Sequence, residues 1–506
     1  MLSTVQISRN IVKMKKLNNT LIKKYPKMFP STFFFECGDG WFWLLDNLCL
    51  SIQSYIDSNS KPQVSINQVK EKFGCYDYET EVLTNNGWKY FKDITKNDKI
   101  ATLKDGKFLE YQHPLNIVNY DYNGKMYKLQ TRSIDLLVTP NHKLYVAQPD
   151  KLDGNNYHPY KRTAQPFHLE TYENLYLKNK KFKKNVEWEG RESKSITIPG
   201  YEYSNHMKVV NSIRTYKIKD KTFILDDFLD FLGWYIAEGC SDYKRGTISI
   251  ACNNTDGGAE RERISKVITK LGYSIKITQK DRRALVFKIY NAQLARWLLK
   301  NCGHLAPNKK IPNFIKDLSS RQIRILLNSL YLGDGYQAKT SHRLTTVSKQ
   351  LSDDVQELIL KCGDTFREYN YPPSKDIYLK NGKLIHSNNK RYDINWMKLK
   401  YCNTQDKGLA KSSFEGLIDY LGKVYCVEVP NHIIYIRRNG KGVWCGNSLR
   451  FYYDGGDETI FGMVWLGENL SYKICEECGS TNKVSQSKKG WIRTLCEKCG
   501  KKKENK

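Results

Sequence analysis

The rhythm of hydrophobic and polar positions changes several times along the chain. From residue 38 to 56, "GDGWFWLLDNLCLSIQSYI" sets apolar residues at helical spacing, and "KPQVSINQVKEKFG" at 61–74 reads as a turn followed by a short strand. From Cys75 the pattern becomes short alternating stretches bounded by turn residues: "TEVLTNNGWKYFKDI", "DKIATLKDGKFLEYQ" and "KMYKLQTRSIDLLVTPNHKLYVA". These predict a compact all-β region over 75–150. Residues 151–221 are basic and aromatic and predict a linker or DNA-recognition region, with no clear periodicity up to about residue 200. From 222 to 414 helices alternate with strands, and two phrases echo one another, "FLGWYIAEG" at 231–239 and "LNSLYLGDG" at 327–335. Each is followed by strand-like sequence and then a helix, "ISKVITKLGYSI" and "SDDVQELILKCGDT", which points to an internal duplication. Short strands return at 415–447 in "GKVYCVEVPNHIIYIRRNGKGVWCGN". Residues 448–506 then resume the character of 1–74, because "VKEKFG" would run directly into "SLRFYYDGGD". The middle of the chain therefore reads as an insertion.

Composition narrows what such a chain can do. Its 506 residues and 40% hydrophobic content predict about two to four domains with real cores. A formal charge of +29, from 82 Lys plus Arg against 53 Asp plus Glu, favours a polyanionic partner, nucleic acid first. No apolar run approaches the roughly 18 residues of a membrane span, and the start has no signal-peptide core. A cytosolic protein with no membrane partner is expected. In a reducing compartment its 14 cysteines are expected to be thiols or metal ligands rather than disulfides. Cys475-x-x-Cys478 and Cys496-x-x-Cys499 form two knuckles whose spacing suits a four-thiolate zinc site.

The ends of the insertion carry residues suited to cutting it out without a protease. The Cys75 thiol can attack the Gly74 carbonyl and turn an amide into a thioester, and Gly74, having no side chain, leaves that carbonyl open. Ser448 can then attack the thioester through its hydroxyl. The Asn447 carboxamide can close on its own backbone carbonyl and release the segment. In the echoed phrases, small and apolar positions allow two helices to pack closely, each ending on an acidic residue followed by Gly. Paired about a pseudo-twofold axis, Glu238 and Asp334 would meet, and two such carboxylates need a cation between them. Magnesium is the natural one, being a hard ion that keeps water able to attack a phosphodiester.

With these residues in view, 75–447 resembles a large intein, a Hint-type protein-splicing domain, with an embedded LAGLIDADG (dodecapeptide-type) homing endonuclease. "CYDYETEVLTNNGWKYF" is similar to the family's N-terminal splicing motif, and "VTPNHKLYV" to the motif that supplies a Thr and a His. "VYCVEVPNHIIYIRRNG" and "VWCGNS" are similar to its two C-terminal motifs. The resemblance implies that Thr139 and His142 assist the first acyl shift. It implies that Glu238 and Asp334 hold magnesium, each serving one DNA strand. "NKKIP" at 308–312 is similar to a motif between the repeats, where a Lys such as Lys309 or Lys310 would stabilise phosphate charge; Lys310 is taken as the candidate.

Two positions depart from the family pattern. Gly446 stands where a penultimate His is common, and His432 is the proposed substitute. Cys426 stands where an Asp is common.

The fold implied is multidomain. An all-β Hint horseshoe is built from both ends of the insertion and interrupted by an α+β pseudo-symmetric endonuclease of two αββαββα repeats. Both are lodged in a small α/β host with a C-terminal zinc ribbon. The excised segment is expected to be a monomer that acts on a long double-stranded DNA site in the uninterrupted host gene. The strands around "GTISIACNN" and "RLTTVS" would lie in the major groove. The joined host, 1–74 with 448–506, resembles small uncharacterised bacterial and phage proteins bearing "ECGDGW", and a bacterial or phage-infected cell is the expected setting. Two other readings stay open: a zinc-ribbon nucleic-acid-binding protein with a permanent regulatory insert, and a splicing intein whose nuclease is inactive.

Overall fold

Strand Val64–Lys70 pairs antiparallel with strand Arg450–Gly455, matching Lys70 with Arg450, although residues 71–449 lie between them in the chain. These strands belong to a computed structural model that describes 41–59, 64–70, 74–140, 142–149, 165–207, 212–253, 259–279, 284–337, 342–378, 384–403, 413–446, 450–455, 458–471, 477–486 and 494–504. Short pieces between 20 and 35, and at 151–153, 161–163 and 473–475, are described as well. The expected first helix spans Phe42–Asn59 and packs on helix Glu458–Ser471, so both flanks share one small core of Leu45, Cys49, Ile52, Ile460 and Val464. The Trp41 indole donates to the Ile474 carbonyl at 2.7 Å and closes that core. Among the described residues no helix is long and apolar enough to cross a membrane.

The protein is a mixed α/β, multidomain molecule, and both ends of the insertion contribute to one β-rich part. In one six-stranded sheet Lys441–Gly446, Ile433–Arg438, Glu81–Thr84, Ile100–Lys104 and Phe108–Gln112 follow one another, and Gly87–Tyr90 pairs with Glu81–Thr84. A second sheet pairs Asn116–Gln130 with Phe414–Glu428 along their full length. Phe414–Glu428 alternates exposed and part-buried positions over its first half, whereas Ile433–Arg438 is buried on both faces because other elements cover the sheet on each side. The basic stretch from 151 contributes more than a linker. Lys181–Lys183 pairs with both Lys143–Ala147 and Tyr401–Asn403, and Phe182 is fully buried. Its lysine stems cover apolar surface while the heads find partners: the Lys180 ammonium donates to Glu415 at 2.7 Å inside the protein.

The duplicated part follows the order helix, two strands, helix, two strands in its first repeat, and the second repeats that order with an extra hairpin, Ser374–Tyr378 and Leu384–Ser387, between its last two sheet strands. Its four-stranded sheets are ordered alike: Gly239–Asp242, Thr247–Asn253, Ala284–Tyr290, Lys276–Gln279 in the first, and Gly335–Gln337, His342–Thr346, Arg391–Met397, Thr365–Tyr371 in the second. Helix Ala292–Cys302 closes the first repeat. The second has no counterpart to it among the described residues, where the chain passes from Arg391–Met397 into strand Tyr401–Asn403. Helices Leu225–Glu238 and Ser320–Gly333 pack together at the centre. A Cβ on Gly233 would lie 2.6 Å from the Leu326 carbonyl oxygen, and one on Gly333 would lie 2.6 Å from Ala237 Cβ, so only Gly permits this approach. The Ser329 hydroxyl donates to Asp230 across the same seam.

The two parts share their largest core. Leu83, Leu103, Tyr435 and Trp444 of the β-rich part join Leu344, Phe366 and Trp396 of the second repeat in one buried cluster. Arg437, 1% exposed, adds a charged tie, reaching Glu81 at 2.7 Å and Asp353 of helix Lys349–Lys361 at 2.7 Å.

Candidate functional site

At the start of the insertion the backbone folds back on itself. The Cys75 N–H donates to the Thr139 hydroxyl at 2.9 Å, and the Thr139 N–H returns a 2.9 Å bond to the Cys75 carbonyl. Tyr76 exchanges backbone bonds with Tyr425. Cys75 is fully buried in a cluster with Val118, Met126, Leu137, Val424 and Cys426, against which Tyr120 and Tyr122 pack. Cys426 thus stands in the same small core as Cys75. His142 is also fully buried and covers the residue before Cys75. A Cβ added to Gly74 would lie 2.6 Å from His142 Cα and 2.8 Å from its Nδ1, so Gly is required here by space as well as by access. The other ring nitrogen, Nε2, lies 3.3 Å from Cys445 Sγ. Burial pushes the Cys445 thiol up to about 12, so at neutral pH a neutral thiol faces Nε2, and Nδ1 is the ring nitrogen on the Gly74 side.

The other end of the insertion reaches the same place. Tyr76 donates its hydroxyl to the Gly446 carbonyl at 2.7 Å in the interior. Gly446 itself is boxed in: a Cβ there would meet Leu169 Cδ2 at 2.5 Å and the Lys143 carbonyl oxygen at 2.6 Å. His432 precedes Ile433, which pairs with Gly446 across the hairpin. It holds a left-handed backbone at φ 54°, with Nδ1 3.8 Å from Glu428. Asn447 and Ser448 lie outside the described residues. Neither Tyr76 nor Cys445 stood out in the sequence. The one available hint was an aromatic residue directly after the junction thiol in a stretch otherwise polar.

In the duplicated part, Glu238 ends its helix and Asp334 caps the other. The two carboxyl groups come close enough that each acts on the other's proton affinity. Loss of surrounding water, and then the Glu238 charge, push Asp334 up to about 7. Loss of water and the Glu260 charge raise Glu238 as well. The two groups therefore hold a proton between them near neutrality. Asp334 remains exposed and Glu238 half-buried, so the pair opens to solvent.

A cation beside the pair is Lys309, the other lysine of the same motif. The Lys309 ammonium donates to the Tyr235 carbonyl at 3.0 Å and the Gly239 carbonyl at 2.7 Å, at the foot of the Glu238 helix. Burial lowers its proton affinity, while Asp334 and Glu238 oppose that shift. The backbone N–H of Lys310 bonds the Cys302 carbonyl at 3.0 Å. The signal was present in "NKKIP". Lys309 has extended backbone and stands two residues from buried Ile311, so the two share a face.

Two carboxylates close enough to share a proton can share a cation instead, and magnesium would complete its shell with water and phosphate oxygens. Four thiols, of Cys475, Cys478, Cys496 and Cys499, lie within 4.8 Å of one another, with Cys478 and Cys496 at 3.7 Å. Tetrahedral zinc with bonds of about 2.3 Å needs sulfur separations of roughly 3.8 Å. The donor set fits zinc. Backbone bonds between Cys475 and Gly479 and between Cys475 and Ser480 shape the first knuckle.

No protein-family model matches the chain. Its sequence is similar to the "DNA-directed RNA polymerase subunit beta C-terminal section" of Stigeoclonium helveticum, 28% identical across 76% of this chain and 37% of that one. It is similar to the "ATP-dependent Clp protease proteolytic subunit" of Chlamydomonas moewusii, 24% identical across 74% and 45%. It is also similar to the "ATP-dependent DNA helicase Hel308" of Thermococcus kodakarensis, 26% identical across 58% and 28%. The chain thus spans less than half the length of each of these curated relatives. Similar solved structures include I-DmoI in complex with DNA and Mn, at 14% identity and TM-score 0.24 over 34% of this chain and 89% of that one. They also include the N-terminal LAGLIDADG domain of DUF199/WhiA, at 12% identity and TM-score 0.22 over 37% and 84%.

Proposed function

We propose that the chain is a precursor from which residues 75–447 excise themselves, joining 1–74 to 448–506, and that the excised segment is a site-specific DNA endonuclease. The observation that carries this reading is the meeting of the two ends of the insertion: residues 74–76 and 445–446 share one pocket around His142. The pairing of Val64–Lys70 with Arg450–Gly455 supports it from outside, since the flanks complete each other's sheet. The relatives support it from a third side. A polymerase subunit, a protease subunit and a helicase bear unrelated names, and each resembles this chain over a minority of its own length. A segment that enters unrelated genes accounts for that.

The first step makes use of the Cys75 pocket. Cys75 Sγ attacks the Gly74 carbonyl carbon, the Gly74–Cys75 C–N bond breaks, the departing nitrogen takes a proton from His142 Nδ1, and the proton of the Cys75 thiol passes to the imidazole in its place. Thr139, bonded to the Cys75 N–H, keeps that peptide in place as the nitrogen leaves. Ser448 Oγ then attacks the thioester carbon, the C–S bond breaks, and Cys75 recovers a proton. Asn447 Nδ2 next attacks the Asn447 backbone carbonyl carbon, and the bond to the Ser448 nitrogen breaks. A succinimide and a free Ser448 amine result, and the amine takes the acyl group from its own hydroxyl to give an ordinary peptide. His432 is proposed to assist this third step from beside Gly446.

In the endonuclease, Glu238 and Asp334 would hold magnesium, and Lys309 would steady the negative charge that gathers as a phosphodiester is cut. The bound ion would polarise the phosphate and supply activated water. The solvent-open side of the pair gives DNA a route to it. Cys475, Cys478, Cys496 and Cys499 would hold zinc as a structural ion of the host part.

Expression in reducing buffer followed by intact-mass measurement tests the reading. Splicing gives two species, 75–447 and the joined flanks. One lasting full-length species would favour a permanent insert in a zinc protein. Incubation of the excised segment with magnesium and DNA carrying the joined host site then separates an active nuclease from an inactive one.

A further inference from the structure

We infer that the Tyr76 hydroxyl is a positioning residue for release of the C-terminal end of the insertion. The inference rests on the splicing reading above. Three observations converge on that hydroxyl. It donates to the Gly446 carbonyl at 2.7 Å in a fully buried setting, and that carbonyl belongs to the peptide that joins Gly446 to Asn447. The ring that carries it is held on every side. It stacks on Phe91 with centroids 4.9 Å apart, meets the His142 ring edge-on at 4.4 Å, and has its backbone tied to Tyr425 in both directions. The third observation is that Gly446 has no room for a side chain of its own, with Leu169 and the Lys143 carbonyl already at its Cα. Help for the bond beyond it has to come from a neighbour, and the Tyr76 hydroxyl is bonded to its carbonyl.

Holding the oxygen of the Gly446–Asn447 peptide restrains the plane of that peptide, the base from which the next residue is carried. Release needs Asn447 Nδ2 to reach the Asn447 carbonyl carbon. One N–C bond forms, the bond to the Ser448 nitrogen breaks, and a proton passes from Nδ2 to that nitrogen. A freely turning Asn spends most of its time in geometries that do not bring those atoms together. Burial pushes the phenol well above its ordinary range, so it stays a neutral donor throughout the working pH range. Because Tyr76 directly follows the attacking Cys75 and touches His142, the same residue links the two junctions. Displacement of Cys75 in the first step is felt at Gly446 through one side chain.

The Tyr76→Phe variant removes the hydroxyl and keeps the ring. Its precursor is compared with wild type and with His432→Ala by intact mass, by hydroxylamine cleavage of the thioester at Gly74, and by the rate of Asn447 cyclisation. We expect thioester cleavage within about twofold of wild type, cyclisation slowed about tenfold, the size of one lost buried hydrogen bond, and accumulation of the branched Ser448 ester. A purely structural role would slow both steps alike. Equal loss of both steps, or cyclisation at the wild-type rate with no branched species, overturns the assignment. Wild type that never leaves full length overturns the splicing reading itself, whereas wild type that splices beside an unaffected Tyr76→Phe overturns the role of Tyr76 alone.

Discussion

Glu238 and Asp334 end two different helices in two different repeats, and their carboxyl groups come close enough that each acts on the other's proton. Loss of surrounding water, and then the neighbouring Glu238 charge, push Asp334 up to about 7. The consequence for stability has a definite sign. A carboxyl group whose proton affinity is higher in the folded state favours folding while protonated and loses that contribution as pH rises. Metal-free protein should therefore become less heat-stable between about pH 4 and pH 7, by about 1 kcal/mol once solvent screening of the exposed Asp334 is allowed for. The Asp334→Asn variant should lose most of that slope in thermal melts, and magnesium should stabilise wild type more at pH 8 than at pH 6. A variant with the same slope as wild type would place the proton elsewhere. Cleavage of DNA should disappear in the variant.

Arg437 joins the β-rich part to the second repeat, with Glu81 and Asp353 both at 2.7 Å and Trp88 under the guanidinium at 4.2 Å. Replacing it by Met keeps the volume but leaves two carboxylates facing each other in the interior. The expected loss is about 3–5 kcal/mol, measured by denaturant unfolding of a splice-blocked Cys75→Ala, Asn447→Ala precursor. If the two parts fold independently, that loss will be confined to one of two transitions. If the shared core governs, one transition will shift as a whole.

Much of the architecture was legible because it rests on local rules. Helical spacing at 38–56 became helix Phe42–Asn59, and the echoed acidic phrases became two helices with Gly at their contacts. Features that depend on which distant groups meet were not legible. Nothing near Arg437 in the chain says that its partners are Glu81 and Asp353, and nothing local says that Phe182 anchors a strand between Lys143–Ala147 and Tyr401–Asn403. Lys309 and Lys310 look alike in one dimension and differ only by the face they turn inward. The hydroxyl of Tyr76 acquires its partner through a hairpin closed by residues near the other end of the insertion.

The four-thiol cluster makes a separate prediction. One zinc per chain should be found by elemental analysis, and cobalt substitution should give the intense thiolate charge-transfer absorption of a tetrahedral four-sulfur site. Changing Cys496 to Ser should abolish both signals. Because the cluster's own small core of Cys475, Leu495 and Cys496 is separate from the other buried clusters, zinc removal from a splice-blocked precursor should unfold this end while the rest of the chain keeps its thermal transition. A parallel downward shift of that transition would tie the metal to the whole fold instead.

Gly446→Ala adds one methyl group at a position where the nearest atoms would be Leu169 Cδ2 at 2.5 Å and the Lys143 carbonyl oxygen at 2.6 Å. A leucine tip can swing away, but a backbone oxygen in a paired strand cannot, so the strain must be relieved by moving residue 446. That movement stretches its bond to Tyr76 and shifts Cys445 away from His142. Both junctions should suffer: thioester formation through the loss of His142 alignment, and Asn447 cyclisation through the loss of the fixed peptide plane. Splicing followed by gel and mass should fall at least about tenfold, in line with overpacking of roughly 1–3 kcal/mol. A second change, Leu169→Ala, removes only the yielding half of the clash and should restore little. Full rescue by Leu169→Ala would mean that the side chain, and not the Lys143 backbone, sets the limit at this position.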